Sequence, residues 1–305
     1  MTTAQETAEV WQQSLLVDEG AKAEIERLLA DENASELEDC FGQPLVFGTG
    51  GLRGLLGVGT NRMNLYTVQL TTEGWARHLE AHPEDSRSGV VIGYDSRRFS
   101  REFAEAAAEV FAGHGIPTWV FREVAPTPLV SFELLRRKAR AGLVITASHN
   151  PAEYNGYKIY GSNGGQVIPP EDGEIVNEVL RIQRLDEIQR MSYATGQAKA
   201  LIQELGNERD VDYLDTLEAL AQGIAQVAET FGAIEAMTRD QSASVQQVGA
   251  VQHQLDGITQ ENASAVNEAA EQVRLLDRIV EEIGGRIGEF QADARVDEVP
   301  LSSAA

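Results

Sequence analysis

The chain has a single cysteine, Cys40, among its 305 residues, so no disulfide can form within it. A chain without cystines is typical of a reducing compartment. Its start has neither the basic region nor the apolar centre of a secretory signal, and no run of 18 apolar residues occurs anywhere. These absences predict a cytoplasmic protein with no membrane partner.

Basic residues are scarce. The chain has 25 Lys and Arg against 48 Asp and Glu, which gives a formal net charge of -23. Proteins that bind nucleic acid concentrate Lys and Arg to displace counterions from phosphates. The composition therefore predicts no nucleic-acid partner, and any anionic ligand must be held by a few local cations and backbone N–H groups.

Proline and aromatic residues nearly disappear from the second half. Residues 171–299 contain no proline, and after residue 217 only Phe231 and Phe290 are aromatic. Hydrophobic residues make up 42% of the chain, enough for a packed core. The change in composition predicts two parts of different architecture.

In the first part, short apolar runs alternate with helical patterns. The strings "VVIGYDS", "PTWVF" and "AGLVIT" are typical of strands, with helices predicted from Ser100 to about His114 and after Pro128. This βαβαβ order predicts an α/β fold, a three-layer domain with a mostly parallel mixed sheet. Acidic helical patterns flank it at about 7–40 and 170–189.

In the second part, a 3,4 spacing of seam residues never changes register, and 15 of its 20 positions are apolar. The seam consists of Ile224, Val227, Phe231, Ile234, Thr238, Gln241, Val245, Val248, Gln252, Leu255, Thr259, Asn262, Val266, Ala269, Val273, Leu276, Val280, Ile283, Ile287 and Phe290. A period of 3.5 residues predicts a long coiled-coil helix that associates with itself. The alternative is one amphipathic helix lying on the first domain.

The most distinctive string of the first part is "VITASHNPAEYNGYKIYG", from Val144 to Gly161. It places Ser148 at the carboxyl end of a predicted parallel strand, where α/β sheets bind ligands. His149 could transfer a proton, and Lys158 could supply charge or act as a general acid or base. The alternative is a structural turn, in which the Ser148 hydroxyl satisfies local amides.

A glycine-rich string, "FGTGGLRGLLGVGTNRMN", has six glycines between Gly48 and Gly59. Glycines let backbone N–H groups approach an oxyanion closely, so Thr49, Gly50, Gly51 and Arg53 are candidates for binding a phosphate. The GxxxxGK[ST] pattern of a P-loop is absent. A hairpin rich in bulges is the alternative.

"FGTGGLRG", "GYDSR", "APTPLVSF" and "TASHNPAEYNGYKIYG" resemble, in this order, the first domain of the alpha-D-phosphohexomutase superfamily, in particular its phosphoglucomutase/phosphopentomutase branch. The resemblance runs from about residue 5 to about residue 217. It implies an isomerase of the intramolecular phosphotransferase type that acts on a sugar phosphate.

The resemblance also implies roles for individual residues. Ser148 would be the phosphoserine, and its phosphoryl oxygen would be one ligand of Mg²⁺. Arg53 would lie against that phosphoserine, while His149 and Lys158 would transfer protons and Asn150 would help to bind the phosphate. A sugar bisphosphate would serve as activator. Positioning and charge stabilisation, the main requirements of phosphoryl transfer, agree with this cluster of cations.

Other parts of such an enzyme are expected in three further domains, for which this chain has no motif. The nearest string to the expected aspartate loop is "DVDYLD", with Asp210, Asp212 and Asp215. Acidic residues are also common at helix starts, where they complement the helix dipole, and that interpretation is favoured here. The resemblance therefore predicts that this chain alone does not complete the reaction.

From about residue 218 to about residue 280, the strings "QGIAQVAETFGAIEAMTRDQ" and "LDGITQENASAVNEAAEQV" resemble the C-terminal arm of a methyl-accepting chemotaxis receptor. The alternative function is therefore a non-catalytic chimeric protein for signalling or oligomerisation. The predicted parts are a helical extension (1–40), the α/β domain (41–217), the coiled-coil helix (218–292) and a disordered tail (293–305).

Overall fold

Short apolar runs form a mixed sheet, as the alternating patterns predict. The computed structural model describes residues 3–30, 34–48, 50–82, 89–206 and 208–294. Within these residues the sheet has seven strands, in the spatial order β1-β2-β6-β5-β3-β4-β7. The strands are β1 (Phe47–Gly48), β2 (Gly51–Leu55), β3 (Val90–Tyr94), β4 (Thr118–Phe121), β5 (Ala141–Ile145), β6 (Tyr154–Gly161) and β7 (Ile202–Leu205).

The sheet changes direction at β6. Strands β5, β3, β4 and β7 are mutually parallel, whereas β6 is antiparallel to both β5 and β2, and β1 is antiparallel to β2. The predicted α/β fold with a mixed sheet is confirmed. Strand β7 was not predicted, because its short string "IQEL" carries too little apolar alternation to be distinguished from a loop.

The described residues also form α-helices. They are α1 (Ala4–Gln13), α2 (Glu19–Ala30), α3 (Ala34–Phe41), α4 (Leu65–Ala81), α5 (Ser100–Gly113), α6 (Thr127–Arg137), α7 (Glu171–Arg181), α8 (Tyr193–Ala198) and α9 (Glu208–Ala294). A 3₁₀ turn, Leu185–Glu187, lies between α7 and α8. The predicted pattern over 170–189 therefore forms α7 and this turn rather than one helix.

Alternate residues of the central strands pack into two separate cores. On one face, Val90 and Ile92 of β3 join a cluster that includes Trp75 of α4 and Phe111 of α5. On the other face, Val91 packs in a cluster with residues of α6. Side chains of a strand point alternately to opposite faces, so this division makes the three-layer arrangement.

The acidic pattern predicted over about 7–40 forms three helices rather than one. Between α1 and α2 the chain turns, and the Asp18 carboxylate accepts a hydrogen bond from the Ala21 N–H at the start of α2. Trp11 and Phe41 of the helical part pack on Tyr66 of α4 in a third cluster. The N-terminal helices thus cover the amino end of α4.

The chain divides into two units, Met1–Ala219 and Leu220–Ala305. The second unit consists of the rest of α9, whose side chains are described from residue 210 to 288 and are exposed at every position from 214. Seam residues such as Ile224 and Val266 are 70% and 67% exposed. The side chain of Phe290, and residues 295–305 of the predicted tail, lie outside the described residues. Within the described chain, no helix has the length and apolar content to cross a membrane.

Candidate active site

The first unit reverses its strand order at β3. The chain passes from β3 through α5 to β4 on one side, and from β4 through α6 to β5 on the other side of β3. The loops after β3 and β5 therefore leave the carboxyl edge of the sheet in different directions and open a crevice between them. In open α/β sheets this switch point is the usual ligand site.

A cleft of about 430 Å³ lies at this point. The β3 loop contributes Asp95, Ser96, Arg97 and Arg98, and the β5 loop contributes Ser148, Asn150 and Ala152. Two arginines and a serine hydroxyl thus line one opening. This combination is suited to an anionic ligand that meets a hydroxyl group.

Ser148 has an unusual backbone conformation. Its φ is 59°, in the left-handed region that glycine favours, and its side chain is exposed. A non-glycine residue there costs about 1 to 3 kcal/mol, so the surrounding structure must hold it. The Ser148 N–H donates to Thr146 Oγ1 at 2.9 Å, while Ser148 Oγ lies 3.4 Å from His149 Nδ1. The hydroxyl is left facing solvent, beside a histidine.

Arg97 connects the two loops. Its Nη1 donates to the carbonyls of Pro151 (2.8 Å) and Tyr154 (3.0 Å), and its Nη2 to those of Ser148 (2.9 Å) and Asn150 (2.6 Å). One guanidinium thus satisfies four carbonyls of a loop that would otherwise need water. This side chain therefore holds the β5 loop against the β3 loop.

Asp95 and Asn155 hold the β3 loop in turn. The Asp95 carboxylate accepts hydrogen bonds from the Arg97 N–H (3.0 Å) and from Ser100 Oγ (2.8 Å), and its Oδ2 lies 3.3 Å from Arg97 Nε. Buried Asn155 donates to the Arg98 carbonyl and to Ser100 Oγ. The start of α5, the β3 loop and the start of β6 therefore form one polar network behind the cleft.

Arg53 and Lys158 lie on neighbouring strands and share a face of the sheet. In the β2–β6 ladder Gly51 pairs with Lys158, and Arg53 pairs with Gly156. Burial lowers the pKa of Lys158 below its ordinary value, the nearby Arg53 cation lowers it further, and Asp95 opposes both. A lysine so placed loses its proton more readily than an exposed one, as a proton-transfer group requires.

The glycine-rich string forms a tight hairpin whose turn leads into β2. Gly51 has a φ of 151°, and a Cβ at this position would lie 2.1 Å from the Tyr157 carbonyl oxygen. The Gly50 carbonyl accepts a hydrogen bond from the Ile159 N–H. These glycines permit close approach between β2 and β6. Thr49, the other predicted phosphate-binding residue of this turn, lies outside the described residues.

The predicted site residues are thus distributed over two places. Ser148 and Asn150 line the cleft, and His149 follows Ser148 on its rim. Arg53 and Lys158 stand together on the adjoining strands, with Gly50 and Gly51 at the beginning of β2. Asp95, Arg97 and Arg98 were not predicted as site residues, although "DSRR" directly after a buried strand was a usable signal.

Within the described residues, no group of three or more His, Cys, Asp or Glu side chains is placed to hold a metal ion. Asp210, Asp212 and Asp215 lie in the first turns of α9, where Asp212 pairs with Arg136 at 2.9 Å. These carboxylates occupy one end of a helix and do not converge with the cleft residues in any such group.

Comparison with known proteins gives matches over part of this chain. Residues 44–186 match the family described as "Phosphoglucomutase/phosphomannomutase, alpha/beta/alpha domain I". A phosphopentomutase of Pongo abelii is 45% identical over 177 residues, which are 55% of this chain and 28% of that protein. A phosphoglucomutase of Staphylococcus epidermidis is 34% identical over 199 residues, 64% of this chain and 35% of that protein.

A solved structure of a phosphoglucomutase/phosphomannomutase family protein from Burkholderia thailandensis matches with a TM-score of 0.41 and 19% identity, covering 53% of this chain and 32% of that one. The chain spans 28% to 35% of the length of the two curated relatives named above. Over residues 44–186, the first unit is similar to the α/β/α domain I of phosphoglucomutases and phosphomannomutases.

Proposed function

We propose that the first unit acts as the first domain of a phosphosugar mutase, in which Ser148 accepts a phosphoryl group and returns it to a sugar. The observation that carries this proposal is the exposed Ser148, held in a left-handed conformation at the carboxyl edge of the sheet, in a cleft lined by Arg97 and Arg98. The matched domain model and the phosphomutase relatives support it.

The proposed step is a phosphoryl transfer. Ser148 Oγ forms a bond to the phosphorus of a sugar bisphosphate, the bond from that phosphorus to the sugar oxygen breaks, and the serine hydroxyl proton leaves as the sugar oxygen gains one. His149 Nδ1, 3.4 Å from Ser148 Oγ, is placed to accept the serine proton. Such transfers depend chiefly on positioning and on stabilising charge.

Lys158 and Arg53 supply the cationic surroundings in this proposal. The lowered pKa of Lys158, due first to burial and then to Arg53, suits it to transfer a proton at the sugar oxygen. The Arg53 guanidinium can stabilise a phosphoryl group on Ser148. Asn150 on the cleft wall, with Thr49, Gly50 and Gly51, completes the proposed phosphate contacts.

Mg²⁺ and a sugar bisphosphate activator belong to the same proposal. A phosphoryl oxygen on Ser148 would be one ligand for the ion. The described residues offer no cluster of carboxylates to complete the coordination shell of the ion. Full turnover on a sugar phosphate is proposed only for a protein that also has the other domains.

Intact-mass spectrometry tests the proposal. Wild type and Ser148→Gly are incubated with Mg²⁺ and glucose 1,6-bisphosphate, glycine being chosen because it tolerates the left-handed backbone. We expect one adduct of about 80 Da, the mass of a phosphoryl group, on wild type only. A folded wild-type protein that gains no such mass would rule out the nucleophile.

A second candidate, from a different class, is supported by the long helix. Its seam side chains, including Phe231 at 67% exposed and Val248 at 66%, face solvent. The helix also contains glycines that a free helix tolerates poorly, at about 1 kcal/mol each relative to alanine: Gly223, Gly232, Gly249, Gly257, Gly284, Gly285 and Gly288. We propose that the helix associates with helices of other copies of this chain.

In the non-catalytic alternative, this association is the function and the chain is a chimeric signalling or oligomerisation protein similar to a chemoreceptor arm. Sedimentation equilibrium tests whether the helix associates. The compared proteins are wild type, a seam variant (Val245→Glu/Val248→Glu) and a control variant outside the seam (Gln246→Glu/Gln247→Glu). Seam charges should dissociate the assembly, and the control pair should not. A wild-type protein that stays monomeric at all concentrations would exclude this alternative.

A further inference from the structure

Arg97 lines the cleft but takes no part in the bond changes of the proposed transfer. Its side chain is 15% exposed, and its two Nη atoms donate to main-chain oxygens of the β5 loop and of the first residue of β6. These carbonyls come from both ends of the loop, Ser148 at the start and Tyr154 at the first residue of β6. The guanidinium therefore spans the whole turn that carries Ser148.

The N–H groups of the Arg97 guanidinium are fully used by these contacts. Arginine has five N–H groups on its fork, four on the two Nη atoms and one on Nε. The four Nη groups match the four carbonyl bonds, and Nε faces the Asp95 carboxylate at 3.3 Å. In this arrangement Arg97 has no N–H group left with which to hold a phosphate in the cleft.

The backbone of Ser148 explains why such a hold is needed. A serine at φ 59° relaxes to an ordinary conformation unless its neighbours oppose the change. The local bonds are few: the Ser148 N–H donates to Thr146 Oγ1, the Asn150 N–H to the Ala147 carbonyl and the Tyr154 N–H to the Pro151 carbonyl. All three lie within the loop or beside it, and none of them ties the Ser148 end of the loop to another element. The far end is tied to the residue after β2, because the Glu153 carbonyl accepts a hydrogen bond from the Leu56 N–H at 2.7 Å.

We propose that Arg97 is a positioning residue that fixes the Ser148 hydroxyl for phosphoryl transfer by holding the main chain of residues 148–154 against the β3 loop. This inference rests on the proposed function for its kinetic consequence. Its structural consequence, that this side chain holds the Ser148 end of the loop against the β3 loop, is independent of that function. Lysine keeps the positive charge but cannot reproduce the planar fork, so Arg97→Lys separates geometry from charge.

Two measurements on the full chain test the proposal, with Arg101→Lys as the matched control. Arg101 is exposed at the start of α5 and pairs with Glu105. The first measurement is hydrogen exchange of the Ser148, Asn150 and Tyr154 amides. The second is the rate of phosphoryl uptake from glucose 1,6-bisphosphate over a range of concentrations. Tryptophan fluorescence confirms folding of each variant.

In Arg97→Lys we expect the three amides to exchange at least about tenfold faster. The maximal rate of uptake should fall about 100-fold, as for an angstrom-scale misplacement of a reacting group, while the half-saturating donor concentration stays within about threefold. Arg101→Lys should match wild type in both. If Arg97→Lys does not fold, Asp95→Asn, which weakens the hold on Nε, is compared in the same way.

Unchanged exchange in a folded Arg97→Lys protein would overturn the proposal. Faster exchange with an unchanged maximal rate of phosphoryl uptake would also overturn it. A change confined to the half-saturating donor concentration would overturn it too, because Arg97 would then be a substrate-binding residue. If wild type takes up no phosphoryl group, the proposed function fails separately, and the exchange result alone supports or overturns the positioning of Ser148 by Arg97.

Discussion

Glu73 of α4 accepts a hydrogen bond from His114 at the end of α5, with Glu73 Oε2 and His114 Nε2 2.9 Å apart and both side chains at most 1% exposed. Burial opposes charge on both groups. For His114 the bonds to Glu73 and Glu80 outweigh burial and raise its pKa, while His114, the Gln189 N–H and Arg77 lower the pKa of Glu73. In the interior of the first unit, each of these two side chains thus favours the charged form of the other.

Replacement of His114 by glutamine should destabilise the first unit by about 2 to 3 kcal/mol near pH 6, because the buried carboxylate loses a charged donor. Urea unfolding followed by tryptophan fluorescence measures it, since all three tryptophans, Trp11, Trp75 and Trp119, lie in this unit. His253→Gln on the exposed helix is the control and should have no effect. An equal effect of both substitutions would contradict a role for the buried pair.

The same pair predicts a pH dependence of wild-type stability. Because the pKa of His114 is raised on folding, this group adds stability that is complete below its pKa in the unfolded chain, about 6.5. That stability is lost as the pH rises through its pKa in the folded protein. The lowered pKa of Glu73 adds stability present above about 4.3 and lost as pH falls through its folded value. The stability difference between wild type and His114→Gln should therefore shrink above neutral pH. If this stability difference instead grows with rising pH, the pKa of His114 is not raised on folding.

Ser148→Gly should raise the free energy of unfolding of the first unit by about 0.5 to 1 kcal/mol, while Ser148→Ala should not. Glycine relieves the left-handed conformation at φ 59°, and alanine retains its cost while losing the hydroxyl. Urea unfolding of the two variants side by side measures the difference. If the alanine variant proves the more stable, the loop does not hold residue 148 in the left-handed region in solution.

Gly51→Ala should be severely destabilising, by more than about 2 kcal/mol, because its Cβ would lie 2.1 Å from the Tyr157 carbonyl oxygen and would separate β2 from β6. Gly48→Ala is the matched control, since the atom nearest its Cβ is 3.7 Å away. Thermal unfolding compares the two. Similar melting temperatures of the two variants would mean that β2 and β6 accommodate the added Cβ without loss of stability.

Lys158 should titrate below the ordinary lysine pKa, first because of burial and then because of Arg53. Reductive methylation with ¹³C-formaldehyde and NMR titration can follow it, because the chain has only four lysines, Lys22, Lys138, Lys158 and Lys199. Arg53→Gln should move its pKa part of the way back, with burial still holding it down. An ordinary pKa in wild type would remove Lys158 as the proposed proton-transfer group.

The sequence predicted those parts of the first unit that rest on local periodicity. The strands of Val90–Tyr94 and Ala141–Ile145, and the helix between them that begins at Ser100, follow from continuous apolar runs and helical spacing. Strand β7 could not be predicted, because its four residues depend on pairing with β4, more than 80 residues earlier in the chain. The turn between α1 and α2 involves a similarly distant contact, because the Asp18 N–H donates to Tyr66 Oη and the Asp18 carboxylate accepts from it, 48 residues along the chain.

The site was predictable in its residue types but not in its connections. Ser148 stood out because it follows a buried strand and precedes a turn. Nothing local to Arg97 shows that it contacts carbonyls 51 to 57 residues later, since that relation exists only once β3 and β5 are neighbours. Long-range polar contacts of this kind depend on the topology, and a sequence motif identifies at most one of the two residues in contact.

Helix α9 has no interior: every described side chain from residue 214 to 288 is exposed. The first unit unfolds in a reaction of a single chain, because its cores lie within it. If α9 associates with other copies of this chain, as proposed, the stability of that association depends on the protein concentration. Under this proposal one polypeptide combines two folding reactions of different molecularity, and dilution would act on the helix association without changing the folding of the first unit.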